Sequence, residues 1–267
     1  MQSNTKTVVI TGATSGIGYN TALHFADKGY RVIGIGRRAD RLRALELRLM
    51  EAVVPGSVYE ADVCRYEELQ HVVEDVEARY GAIHVWINNA GVNRAIGPTW
   101  EISPEDWAAD LNTNLLGTFH GVRAVLPLML RQRLGRIINM VGGGTTHSMM
   151  YSNAYGTAKT AVARLTENVA EELEKAEPAI KVFAMNPGLN DSQMTRTLRS
   201  SELGRKYFPE MEKWLQNGAT EPHEAPACAY RIAEGMADAY HGCILTIYDT
   251  LDDLLPLPKD KYKLRMR

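Results

Sequence analysis

A chain of 267 residues, 45% hydrophobic and with a formal charge of −2, is long enough to bury a substantial core and too nearly neutral to call for a polyanionic partner such as nucleic acid. Its longest apolar runs, such as 125–130, fall far short of a membrane span, and no secretory leader is expected ahead of the first strand. Cys64, Cys228 and Cys243 and the seven histidines are scattered without metal-type spacing, which argues against a metal site and for reduced thiols in the cytoplasm.

The β-branched run 7–10 ends at a glycine cluster and reads as a buried strand, followed by an amphipathic helix over about 16–28 that Gly29 stops. A second strand over 31–35 leads into a helix whose Leu42, Leu45 and Leu49 share one side. A weaker strand at 58–60, a helix over 67–80 stopped by Gly81, and a strand at 83–87 come next. Helical patterns cover about 104–131 and 153–174, on either side of a strand at 136–140. Strands at 181–185 and 243–247 close the series, with a helix over about 224–239 between them. Strands alternating with helices of this length imply right-handed βαβ units. The expected fold is α/β: one doubly wound, Rossmann-like parallel sheet of about seven strands in a three-layer αβα arrangement, a single domain over 1–267. Ligands of such sheets bind outside the carboxyl ends of the strands, where the strand order reverses.

The first strand ends in Thr11-Gly12-Ala13-Thr14-Ser15-Gly16-Ile17-Gly18. At a strand-to-helix junction, glycines permit a tight turn and a close backbone approach. The following helix N-terminus offers unpaired N–H groups to a pyrophosphate. Gly12, Thr14, Ser15, Gly16, Ile17 and Gly18 are therefore candidate cofactor contacts. An acidic residue at the end of the second strand would bond a ribose 2′-hydroxyl; this chain has Gly36 followed by Arg37 and Arg38 instead. Two guanidinium groups suit a 2′-phosphate, so NADP(H) is expected over NAD(H).

With Asn88-Asn89-Ala90-Gly91 after the fourth strand and Tyr155-Gly-Thr-Ala-Lys159 on a later helix, the sequence resembles the short-chain dehydrogenase/reductase family from Thr7 to about Ser192. The resemblance implies that Asp62 and Val63 contact adenine, that Asn89, Ala90 and Gly91 line the cofactor, and that Asn114 is the active-site helix asparagine, helping to hold a proton-relay water. Pro187, Gly188 and Ser192 resemble the segment beside the nicotinamide. Tyr155 and Lys159 are four apart and share one helix face. A lysine ammonium beside a phenol, whose ordinary pKa is near 10, favours phenolate. The resemblance makes Tyr155 the acid/base and Lys159 its modulator and a ribose contact.

The family places a serine ahead of the tyrosine at the end of the fifth strand, and that position here is Gly142, in Met140-Val-Gly-Gly-Gly144. Three readings stand: Thr145, Thr146 or Ser148 substitutes for it; a backbone N–H or a substrate group polarises the carbonyl; or hydride transfer to a ketone is no longer the task. Asn190 stands where the family has an aliphatic residue.

A variable substrate lid is expected over about 189–220, where Met194, Leu198, Leu203, Tyr207, Phe208, Met211 and Trp214 recur among basic residues. Those apolar residues either face a medium-sized apolar or aromatic substrate or pack on the core. Met149, Met150 and Tyr151 are further pocket candidates. An atypical tail over about 248–267 either closes the pocket or reaches a second subunit, and a homodimer or homotetramer is implied by the resemblance. The expected function is an NADPH-dependent carbonyl reductase or alcohol dehydrogenase acting on a small to medium apolar or aromatic ketone or alcohol. Two alternatives stand beside it: a non-redox cyclase, isomerase or dehydratase, and an NADPH-responsive binding protein without catalysis.

Overall fold

The computed structural model describes residues 5–249 and Leu264. Strands β1 (Thr7–Thr11), β2 (Arg31–Gly36), β3 (Ser57–Glu60), β4 (Val85–Asn88), β5 (Gly135–Met140), β6 (Ile180–Asn186) and β7 (Ile244–Thr246) form one parallel sheet in the order β3-β2-β1-β4-β5-β6-β7. The order reverses between β1 and β4, which puts the ligand crevice of a doubly wound sheet at their carboxyl ends. The single-domain Rossmann-like fold is as the sequence implies.

Alternation along the strands divides the core in two. Val8 and Ile10 of β1 face the layer containing Phe25, Leu45, Leu49 and Ile232, whereas Val9 faces the layer containing Leu69, Val76, Val125 and Leu173. The first layer is carried by α1 (Gly16–Asp27), α2 (Ala39–Met50) and a helix near the end of the chain. The second is carried by α3 (Tyr66–Tyr80) and the two long helices that follow β4 and β5. Leu42, Leu45 and Leu49 are the buried residues of α2, as their spacing predicts.

Three elements depart from the sequence reading. The pattern over 104–131 is not one helix: α4 (Pro104–Leu111) passes through a single π-helical turn, Asn112–Leu116, into α5 (Gly117–Gln132). Hydrophobic periodicity does not register one inserted residue, and such turns gather at functional sites. The region 189–220 forms three short helices after the 24-residue α6 (Asn153–Ala176): α7 (Gln193–Ser200), α8 (Glu202–Tyr207) and α9 (Met211–Gly218). Its apolar residues divide. Leu198, Phe208, Met211 and Leu215 make a small core of their own with Ile96, while Leu203 and Trp214 are exposed. Finally, α10 (Glu224–Ala233) ends six residues before the expected 239, because Gly235 takes φ +90° and a 3₁₀ turn, Asp238–Tyr240, follows.

Of the tail, Tyr248, Asp249 and Leu264 are described; Leu264 donates its N–H to the buried Glu167 (2.7 Å), and the remaining tail residues lie outside the described set. No helix among the described residues is long and apolar enough to cross a membrane, and no cluster of three or more His, Cys, Asp or Glu side chains is placed to hold a metal.

Candidate active site

Most candidate residues follow the carboxyl ends of the strands or lie on α6, which starts beyond β5; Asn114 lies in the π-helical turn. The loop between β1 and α1 turns on Gly12 (φ +67°) and Gly16 (φ +55°), conformations that L side chains rarely adopt. A Cβ on Gly12 would lie 2.8 Å from Ala90 Cα, and one on Gly18 would lie 2.5 Å from the Gly12 carbonyl oxygen. The loop therefore rests directly on the Asn89–Ala90 backbone. Thr11 Oγ1 accepts the N–H groups of both Asn89 and Ala90 (3.0 Å each), and Asn89 Nδ2 donates to the Thr11 carbonyl (2.9 Å). Ser15, at the start of α1, makes no side-chain cap, and the side chain of Ile17 packs toward the core. What the loop offers a ligand is accordingly its backbone.

Beneath it runs a satisfied polar chain that sequence reasoning missed. Trp86 Nε1 donates to Asn88 Oδ1 (2.7 Å), Asn88 Nδ2 to Asn139 Oδ1 (2.9 Å), and Asn139 Nδ2 to Thr166 Oγ1 (2.9 Å). This chain ties β4 to β5 and α6 through buried side chains. A run of apolar strand residues interrupted by asparagine was its only trace in the sequence.

At the end of β2, Arg38 Nη2 donates to Thr14 Oγ1 (3.0 Å) and Ser15 Oγ (2.9 Å), so its guanidinium lies over the glycine loop. Arg37 pairs with Asp62 at 3.2 Å. Asp62 Oδ1 also accepts the Cys64 N–H (3.0 Å), and although burial opposes it, these partners hold the Asp62 carboxyl below its ordinary range. Val63 is buried against Gly117, where an added Cβ would come within 2.6 Å of Val63 Cγ2.

The π-helical turn aims Asn114 at the segment after β4. Its Nδ2 donates to the carbonyls of Val92 (2.7 Å) and Asp110 (2.9 Å), and its Oδ1 accepts the Val92 N–H (3.2 Å). One turn earlier, the buried Asp110 accepts the N–H groups of Arg94 (2.9 Å) and Ala95 (3.1 Å). The two side chains clamp the loop that walls the crevice; Asp110 carried no sequence signal. Both amide hydrogens of Asn114 are committed to backbone, which makes it first a positioning residue.

Tyr155 and Lys159 lie near the start of α6, as their spacing predicts. Lys159 is buried and donates from Nζ to the Met140 carbonyl (2.8 Å), with Nζ 5.5 Å from the Tyr155 ring centroid. Burial pushes the Tyr155 phenol up to about 12 and the Lys159 ammonium down to about 8. The Tyr155 shift is opposite to the sequence expectation, because desolvation outweighs an ammonium that is already bonded to a carbonyl. The phenol side of Tyr155 meets Gly142: a Cβ there would be 2.7 Å from Tyr155 Oη. Thr145 is committed to the Gly142 backbone, donating from Oγ1 to the Gly142 carbonyl (2.6 Å) and accepting the Gly142 N–H (3.1 Å). Thr146 and Ser148 are exposed.

After β6, Asn190 Nδ2 folds back onto the Pro187 carbonyl (2.7 Å), so its amide serves the local turn. A Cβ on Gly188 (φ +71°) would meet Thr220, Ile247 and, at 3.0 Å, Tyr248 Oη. Ser192 caps α7 reciprocally with Thr195, and its Cβ lies 3.2 Å from where a Cβ on Gly16 would be. Met194 and Lys159 both approach the bare face of Gly91. Tyr151, in a left-handed conformation (φ +62°), stacks on Tyr207 with ring centroids 4.7 Å apart. The structure thus brings together the β1, β2, β4, β5 and β6 ends and α6, and leaves Met150 exposed beside them.

Residues 6–203 match the short chain dehydrogenase family. The chain belongs to the short-chain dehydrogenase/reductase family. It is 35% identical over 184 residues to the NADP-dependent 3-hydroxy acid dehydrogenase YdfG of Salmonella typhi, covering 68% of this chain and 71% of that protein. It is 36% identical over 201 residues to the 3-oxoacyl-[acyl-carrier-protein] reductase FabG of Thermotoga maritima, covering 74% and 79%. Among solved structures it is similar to an actinorhodin polyketide ketoreductase with NADPH (TM-score 0.82, 27% identity, 94% and 98% covered). It is equally similar to NAD+-bound xylitol dehydrogenase (TM-score 0.82, 27% identity, 91% and 97% covered). The protein is an oxidoreductase of this family, whose members bind nicotinamide cofactors.

Proposed function

We propose that this oxidoreductase is an NADPH-dependent carbonyl reductase acting on a small to medium apolar or aromatic ketone. The observation that carries the reading is Tyr155: its hydroxyl faces the bare Gly142 at the head of the crevice, in its acid form, with the phenol held up near 12. A phenol that is protonated at neutral pH can donate to a carbonyl oxygen as that oxygen gains charge.

The cradle fits a dinucleotide, since side chains are excluded from Gly12 and Gly18 and α1 begins at the loop. Gly12, Thr14, Ser15, Gly16, Ile17 and Gly18 would hold its phosphates; Asp62, Val63, Asn89, Ala90 and Gly91 its adenosine half and the floor. Lys159, Pro187, Gly188 and Ser192 would hold its nicotinamide half. Arg38, already on Thr14 and Ser15, supports NADPH, because a guanidinium beside the ribose attracts a 2′-phosphate. A bound dihydronicotinamide supplies the hydride. Tyr155 delivers its proton to the carbonyl oxygen, Lys159 holds Tyr155 and the β5 end together, and Asn114 fixes the wall through Val92.

Residues 189–220 act as the lid, with Met149, Tyr151 and Tyr207 giving it an apolar, aromatic rim; the YdfG and FabG likenesses support carbonyl chemistry of this kind. Exposed Leu116 and Phe119 on the π-helical turn and α5 favour a homodimer or homotetramer through that face. A cytoplasmic setting suits three cysteines that form no disulfide with one another.

A second reading draws on Gly142 itself: without a side-chain donor, the same fold would serve a non-redox cyclase, isomerase or dehydratase. NADPH oxidation over a ketone panel, with Tyr155→Phe and NADH as comparisons, separates the two. Turnover with NADPH that Tyr155→Phe abolishes supports reduction. Conversion of substrate without change in the cofactor's redox state would establish the second reading.

A further inference from the structure

The site lacks a side chain at Gly142, yet the segment that follows is highly ordered by its own bonds. Thr145 N–H donates to the Gly142 carbonyl (3.2 Å), which closes a four-residue turn, and Gly144 at its third position has φ +82°, the conformation of a type II turn. Thr145 Oγ1 braces the same carbonyl and the Gly142 N–H. Thr160 Oγ1, from α6, reaches the carbonyls of Gly144 and Thr145 (3.0 Å each). Gly144 is packed so closely on α6 that a Cβ there would come within 2.8 Å of Gly156 Cα. The turn is docked on the helix that carries Tyr155, at the residue next to it.

Within this turn the Gly143 N–H has no acceptor among the described residues, and Gly143 is exposed. A Cβ on Gly142 would stand about 3 Å from the Gly143 nitrogen by standard backbone geometry. Since that same point is 2.7 Å from Tyr155 Oη, the phenol oxygen and the Gly143 nitrogen are no more than about 6 Å apart. One oxygen atom can accept hydrogen bonds from two donors at that separation. Thr145, the nearest hydroxyl on the loop, is excluded as the second donor because its hydrogen is directed at the Gly142 carbonyl.

We propose that the Gly143 backbone N–H is the carbonyl-polarising donor, acting opposite Tyr155 in the role a side-chain hydroxyl at position 142 would otherwise play. The proposal rests on the carbonyl reductase reading. As the carbonyl carbon gains the hydride, the C=O π electron pair moves onto oxygen. Gly143 N–H stabilises the growing negative charge without giving up its proton, and Tyr155 Oη transfers its own to complete the alcohol. A backbone donor held by a braced turn undergoes no reorganisation during the reaction, the property that makes such donors effective. Met149 Sδ, 3.6 Å from where a Cβ on Gly143 would be, lies against the turn.

The second position of a type II turn accepts proline, so Gly143→Pro removes this N–H while retaining the turn; Gly143→Ala retains both. The test compares these variants for kcat on an aryl ketone that the parent reduces, for NADPH affinity by fluorescence, and for the carbonyl stretching frequency of the bound ketone. Gly143→Pro is expected to lose about 10²–10³-fold in kcat. It should keep the parent's NADPH affinity and return the carbonyl band toward its solution position, while Gly143→Ala, which keeps the N–H, retains the parent's band position. Gly143→Pro matching Gly143→Ala in both rate and band position would overturn the assignment and leave the reductase reading standing. If Gly143→Pro does not fold, Tyr155→Phe decides by the band alone: a carbonyl band that stays displaced from its solution position is expected where a second donor exists, and a band that returns fully to it would show that Tyr155 was the only one. A parent that reduces no ketone would remove the reductase reading, and this assignment with it.

Discussion

Lys159 provides the most direct check on how the site is held. Its ammonium is almost fully buried, makes one hydrogen bond to the Met140 carbonyl, and is pushed by burial from 10.5 to about 8. That drop corresponds to about 3 kcal/mol of unfavourable energy in the charged form at pH 7. Lys159→Met removes the charge and also the charge-assisted hydrogen bond, worth about 2 kcal/mol, so the variant should be about 1 kcal/mol more stable than the parent at pH 7. The sign reverses the usual salt-bridge expectation. Between about pH 8 and 10.5 the unfolded parent binds more protons than the folded one, so parental stability rises with pH. The variant's advantage should therefore shrink to about zero at pH 9. Tyr155, raised to about 12, contributes stability that is fully present below pH 10 and lost as pH rises toward 12; it is common to both proteins and cancels. Urea unfolding followed by circular dichroism at pH 7 and pH 9 reads both values. A variant no more stable at pH 7, or an advantage that does not narrow at pH 9, would refute the reasoning.

Other consequences are as concrete. Arg38→Ala should weaken NADPH binding about 10- to 100-fold while leaving NADH nearly unchanged, because a charge-assisted bond to phosphate contributes about 1.5–3 kcal/mol; equal losses for both cofactors would dissociate Arg38 from the 2′-phosphate. Asp110→Ala leaves the Arg94 and Ala95 N–H groups without their acceptor and should destabilise by about 2–4 kcal/mol in a denaturant titration, with amide exchange accelerated at both residues. Gly18→Ala places a Cβ 2.4 Å from Asn89 Nδ2 and 2.5 Å from the Gly12 carbonyl oxygen, and calorimetry should show cofactor affinity lost even where the far-ultraviolet spectrum is unchanged.

The α/β class, the seven-stranded parallel sheet, the glycine loop, and the Tyr155–Lys159 face were legible because each rests on local rules: strand and helix periods, glycine at a strand-to-helix junction, and a four-residue spacing on one helix face. The family resemblance supplied the candidate identity of each site residue. What needed the tertiary structure was every property set by a neighbour distant in sequence. The π-helical turn at Asn112–Leu116 leaves the hydrophobic period intact, so periodicity runs across it. Asp110 is an ordinary helical acid until the Arg94–Ala95 backbone is folded against it. Asn190 and Thr145 were open as site groups in the sequence, and their turns commit both to backbone partners. The direction of the Tyr155 shift is decided by burial, a sum over the whole packed environment that no linear spacing encodes. Sequence determines which chemistry-bearing groups the chain carries and on which elements; packing determines which of their donors and acceptors are left over for a ligand.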